Sequence, residues 1–175
     1  MESSYFETPN PQVLGVADQF RDAYDQLKIK AVPGAGLLLP LLHCGSIAIE
    51  LYLKSLGSHD DYAPDSSGVG RIVHANPPSR THDLVPLLEH IPAIVRKNLR
   101  DRFRKEADGV LNNHLHAIEG VFLWSRYPFS RETRQRDGQV KNVDSMLRFL
   151  ATFSHETETR SYPRPQAMAR RRSKK

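Results

Sequence analysis

Residues 40–56 read PLLHCGSIAIELYLKSL, and this stretch decides the fold. Leu41, Leu42, Ile47, Ile49, Leu51, Leu53 and Leu56 leave almost no side of a helix polar. A helix that is apolar nearly all round belongs at the centre of a bundle. Glu50 precedes Lys54 by four residues, the favourable order for a helical ion pair, and Gly57 suits the stop. The uncharged run reaches back to Ala31, nearly the length of a membrane span. Pro33, Gly34, Gly36, Pro40, His43 and Gly45 interrupt it, and the sequence offers no second span. We therefore read a loop followed by a buried central helix, with no membrane role.

Working outward, Val13, Val16, Ala17, Phe20, Ala23, Tyr24 and Leu27 recur at three- and four-residue steps from Pro11 to Lys30. That is one apolar stripe of an amphipathic helix, with Pro11 in its first turn and Pro33-Gly34 beyond its end. Residues 58–80 carry Asp, Ser, Gly and Pro without periodicity and are expected to form a loop. Leu84, Leu87, Leu88 and Ile91 mark a short helix over about 82–91, capped by Thr81 or Asp83, with Pro86 tolerable only in its first turn. Ile94, Val95, Leu99 and Phe103, then Leu111, Leu115, Ile118 and Phe122, belong to two helices or to one long helix weakened at Gly109. Val143, Met146, Leu147, Leu150 and Phe153 form the buried side of a last helix over about 140–157. No strand alternates convincingly, so the expected fold class is all-α, a four- to five-helix up-and-down bundle.

The 175 residues include 25 Lys+Arg, 20 Asp+Glu and one Cys. Lone Cys44 excludes an internal disulfide and thiolate-rich metal sites, and it fits a reducing, cytoplasmic setting. The net charge of +5 is unevenly spread: residues 160–175 hold seven bases and no acid, whereas residues 1–159 hold 18 bases and all 20 acids. The reading is a slightly acidic helical domain, 1–159, followed by a disordered basic tail, 160–175, that includes Arg170, Arg171 and Arg172. Such a tail suits RNA or DNA phosphates; solubility or an acidic partner would also explain it.

Three strings, taken in order, resemble a known family. Ala48-Ile49-Glu50-Leu51-Tyr52-Leu53-Lys54 is similar to the A-x-E-x-x-L-K core helix of HEPN domains. Thr81-His82-Asp83-Leu84-Val85-Pro86-Leu87-Leu88 resembles their H-D-L-x-x-L-L segment, and Arg126-Tyr127-Pro128 their R-Y-P before the final helix. The resemblance covers roughly residues 10–157. It implies a small helical homodimer of the kind found in toxin–antitoxin and phage-defence systems, needing no cofactor. Some members are metal-independent ribonucleases with an R-x(4–6)-H motif at the dimer cleft; others only bind RNA, nucleotides or proteins, an antitoxin among them.

The match to that motif in the last helix is Arg148, six residues, then His155. Seven positions span about two turns, so both project from one face, with Asp144 and Ala151, away from the apolar stripe. A histidine there could move the proton of an RNA 2′-hydroxyl, and an arginine could stabilise the transition-state charge. Equally, Asp144 and Arg148 are spaced as an ordinary surface ion pair. Glu50 and Lys54 could face a nucleotide cleft or form a structural pair. Trp124, Arg126 and Tyr127, with Arg131, Arg134 and Arg136 after them, mix aromatics with bases in a way that can hold RNA, or are a core Trp and a solvated turn. His114 and His116 diverge on a helix, and His82, Glu89 and His90 lack a completing ligand, so no metal site is expected. Gly34-Ala35-Gly36 lacks the residues of a phosphate loop, and Cys44 and Ser46 read as small packing residues. Three functions compete: a HEPN-like RNA or nucleotide binder, a metal-independent endoribonuclease using Arg148 and His155, and a protein-interaction bundle.

Overall fold

The structure, a computed structural model, describes residues 5–64, 71–76, 79–107, 109–126, 139–158 and 160–163, with the backbone alone for 5–7, 61–64, 71–74 and 160–163. It is an all-α bundle with two small antiparallel sheets. In chain order the elements are β1 (Tyr5–Thr8), α1 (Pro11–Lys30), α2 (Leu38–Ser55), β2 (His59–Pro64), β3 (Arg71–Asn76), α3 (Leu84–Glu89), α4 (Ala93–Ala107), α5 (Leu111–Ile118), α6 (Val121–Arg126), α7 (Gln139–Glu156) and β4 (Arg160–Pro163). Among the described residues, four long helices number 15 to 20 residues and three short ones six to eight.

The apolar stretch is the hub. Helix α2 packs on α1, α3, α6 and α7. Ten of its residues are buried, as expected of a helix with almost no polar side. Among the described residues, no helix is long and apolar enough to cross a membrane. The tightest approach is at Gly45, where an added Cβ would lie 2.5 Å from Val143 Cγ1 and 2.9 Å from the Tyr24 ring. Gly45 therefore sets how closely α1 and α7 seat against α2.

Polar groups fix the helix ends. The Asn10 side chain accepts from the backbone amides of Gln12 and Val13 at the start of α1. The Asn10 backbone amide donates to the Ser55 carbonyl at 2.7 Å, and the Thr8 hydroxyl donates to the Leu56 carbonyl at 2.6 Å. The entry to α1 is thereby tied to the exit of α2. That exit lies at Gly57, where the Ser58 amide and hydroxyl both reach the Lys54 carbonyl.

Three expectations need correction. The loop expected over 58–80 contains the hairpin β2–β3, in register from His59↔Asn76 to Pro64↔Arg71. Its Asp and Pro content disguises it, since both are depleted in strands. The basic tail does not leave the fold at 160: β4 pairs antiparallel with β1, from Tyr5↔Pro163 to Thr8↔Arg160. Its partner lies at the other end of the chain, so no local pattern announces it. The region 93–126 is neither one helix nor two. It breaks at Gly109 and again at Gly120, whose φ of +83° ends α5 and turns the chain into α6.

Candidate functional site

Helix α7 buries more of its circumference than its apolar stripe implies, because Phe149, Ala151 and Ser154 are also buried. Arg148 and His155 consequently flank a buried Ala151 rather than sharing an open face. Their side chains are 73% and 47% exposed, and each is held by a different carboxylate. Arg148 donates to Asp144 Oδ2 at 2.6 Å, as the surface-pair reading expects. Asp144 is also bonded by Lys28 and by the Tyr24 hydroxyl of α1. The His155 Nε2 lies 2.8 Å from Asp18 Oδ1. Asp18 in turn accepts the Tyr52 hydroxyl at 2.6 Å and faces Arg21 at 3.7 Å. These two carboxylate nodes pin α7 to α1 and α2. Arg148 lines a cavity of about 430 Å³ with Phe103, His114 and Phe149, and His155 does not border it.

Burial acts first on both tyrosines, and the adjoining carboxylates add to it, so both phenols are pushed up and stay neutral donors. At Asp18 burial acts upward, but the bonds from Tyr52 and His155 and the charges of His155 and Arg21 outweigh it. The carboxyl ends below its ordinary 3.8. A lowered folded-state value means that Asp18 stabilises the fold above about pH 4 and loses that contribution as acid protonates it. Wild type should therefore lose stability below pH 4 more steeply than Asp18→Asn, measured as denaturant midpoints between pH 3 and pH 6.

A second constellation gathers on the opposite side of the hub, where α3 and α6 meet α2. Glu50 and Lys54 do form a pair, 2.5 Å apart, with side chains only 9% and 12% exposed. The His82 Nδ1, just before α3, lies 3.0 Å from both Glu50 oxygens. A carboxylate only accepts, so Nδ1 carries the proton and Nε2 is the other, open nitrogen. The His82 ring stacks on Phe122 of α6, with centroids 5.3 Å apart and planes 14° from parallel. Phe122 also stacks with His43, at 5.2 Å and 18°. His43 stands seven residues before Glu50, two turns along the same face of α2. Its Nδ1 lies 3.1 Å from the Ser125 hydroxyl, which spends its proton on the Phe122 carbonyl. The His43 Nδ1 therefore donates. Burial, then the positive charge of Arg126, push its pKa down and keep the ring neutral.

Beside this column lies a cavity of about 450 Å³, bordered by His82, Asp83, His116, Glu119, Gly120, Phe122 and Leu123. The His116 Nδ1 bonds Glu119 at 2.8 Å. His114, two residues earlier, packs its ring edge-on to Phe103 instead, so the two histidines diverge as a helix requires.

Of the residues singled out for RNA contact, Glu50 and Lys54 are paired here, and Arg126, at the end of α6, lies close enough for its charge to act on His43. Tyr127, Arg131, Arg134, Arg136, Arg170, Arg171 and Arg172 lie outside the described residues. Trp124 is a core residue. Among the described residues no three His, Cys, Asp or Glu side chains are grouped to hold a metal ion. Burial pushes the Cys44 thiol up, so it remains a packing group. Sequence reasoning weighed His82 and His116 only as metal ligands and passed over His43 and Phe122 as site residues. The available signals were the seven-residue step from His43 to Glu50 and the His82-Asp83 pair ahead of a short helix. Nothing local linked them to Phe122 or His116. Comparison with protein families, with curated proteins and with solved structures finds no match to this chain.

Proposed function

We propose that this protein is a HEPN-like, RNA-binding helical bundle whose contact surface is the His43–Phe122–His82 column with Lys54 and Arg126 beside it. The observation that carries the reading is the exposed imidazole of His82, 57% open, held by a buried carboxylate and stacked on an aromatic ring. Bases of single-stranded RNA stack on such rings, histidine included, while arginines take the phosphates. The homodimer, and a toxin–antitoxin or phage-defence setting, rest on the sequence resemblance alone. The reading predicts that labelled single-stranded RNA binds with strong salt dependence. Arg126→Ala should weaken binding and lower the slope of log K against log salt by about 0.7, the share of one phosphate contact. An unchanged slope would remove Arg126 from the interface.

One observation favours a second reading, a metal-independent endoribonuclease using Arg148 and His155. Asp18 fixes one nitrogen of His155, as an acid–base histidine needs. Its test is RNA cleavage in EDTA by wild type and by His155→Ala, which should be inactive yet folded.

A further inference from the structure

We infer that the α1–α2 loop is a shallow anchor that seats this protein on the surface of an anionic lipid bilayer. Residues 31–42 read AVPGAGLLLPLL, with no polar side chain among them. Leu41 and Leu42 enter the core, but residues 32–36, Leu38 and Pro40 are exposed. Ile29 is 77% exposed and Val32 65%. With Leu38, this end of the molecule holds three of the seven large apolar side chains exposed among the described residues. Single exposed apolar residues are ordinary, whereas a run of them in a loop marks a contact surface. The loop is also shaped. The Val32 amide donates to the Lys30 carbonyl and the Ala35 amide to the Val32 carbonyl, both at 3.0 Å. Gly34 and Gly36 take φ of +85° and +68°, which other residues adopt only with strain.

Charge selects the occupant. No acid stands between Asp25 and Glu50, while Lys28 and Lys30 stand at the root of the loop. Helix α7 runs antiparallel to α1, since His155 meets Asp18 and Asp144 meets Lys28. The first turn of α7 therefore lies beside the last turn of α1 and brings the exposed Lys141 to the same end. Lys28, Lys30, Lys141 and Arg148 gather there around one acid, Asp144. Four bases less one acid leave +3, on a domain whose residues 1–159 balance at 18 − 20 = −2. An apolar tip inside a basic collar suits the membrane interface. The tip enters the boundary of headgroups and acyl chains, about 5–10 Å deep, and the collar meets anionic headgroups. A second copy fits less well, because a two-fold contact between loops would set the collar against itself. The expectation of no membrane role is thereby revised. The uncharged run supplies no spanning helix, but the part of it outside the core supplies a surface contact. Strand β4, which leads toward the basic tail, lies at the other end of α1, so the two sources of positive charge are separable.

The test sediments full-length protein with vesicles of phosphatidylcholine, with and without phosphatidylserine. Binding is expected with phosphatidylserine, weakened by salt, and little without it. The double variant Ile29→Ser, Val32→Ser should lower partitioning about tenfold or more at unchanged Tm, since both side chains are exposed. Lys30→Gln should lower it about fivefold. Val32→Trp should add emission that moves to the blue on binding and is quenched by brominated acyl chains. Equal binding by wild type and the double variant would assign the attraction to the basic tail and overturn the inference. No preference for phosphatidylserine vesicles would also overturn it. A dimer in sedimentation velocity that the double variant dissociates, with no vesicle binding, would assign the loop to a second copy instead.

Discussion

Glu50→Ala is expected to destabilise the fold by about 3 kcal/mol and to abolish RNA binding. The carboxylate is almost fully buried and holds Lys54 at 2.5 Å and His82 at 3.0 Å. Removing it strands the Lys54 ammonium, itself only 12% exposed, without its partner. Breaking a buried pair from one side costs about 3–5 kcal/mol, whereas replacing both members by apolar groups of similar volume is often close to neutral. The double variant Glu50→Met, Lys54→Met should therefore recover most of the lost stability. It should not recover RNA binding, because the His82 Nδ1 then has no carboxylate to hold it. Thermal melts and anisotropy titrations on the two variants separate these effects. A double variant that binds RNA as wild type does would show that the pair is only structural.

Gly45→Ala is the second large effect. Alanine at a helical glycine normally gains up to about 1 kcal/mol. Here the new methyl would meet Val143 Cγ1 at 2.5 Å and the Tyr24 ring at 2.9 Å. Neither neighbour yields easily: Val143 is β-branched and buried, and Tyr24 is buried with its hydroxyl bonded to Asp144. Overpacking of this kind costs about 1–3 kcal/mol, so it outweighs the propensity gain. The net loss should be up to about 2 kcal/mol, a fall in Tm of as much as roughly 8 °C for a domain of this size. Gly15 is the control. It lies in α1 with nothing within 4 Å of an added Cβ, so Gly15→Ala should raise Tm. Melts on both variants test the packing directly. A stabilised Gly45→Ala would mean that α1 and α7 do not close on α2 as described.

The bundle was legible because its centre is one helix that is apolar on almost every side. Helices α1 and α7 followed from single stripes, and both lie within two residues of their expected bounds. What stayed hidden was non-local. Strand β4 needs a partner at the far end of the chain, and β2 and β3 carry Asp, Pro and Asn where strands usually carry β-branched residues. The expected Glu50–Lys54 pair was visible as a four-residue step, but its third member, His82, is 32 residues away. Arg148 and His155 were visible as a motif. Their tethering to separate carboxylates depends on α1, which no spacing within α7 encodes.

On the proposed function, RNA meets the protein at the α2–α3–α6 surface and not along α7. Amide hydrogen exchange with and without a single-stranded 2′-O-methyl RNA measures this without cleavage intervening. Binding at this surface slows exchange in residues 79–90 and 111–126. Protection confined to residues 144–156 would contradict it.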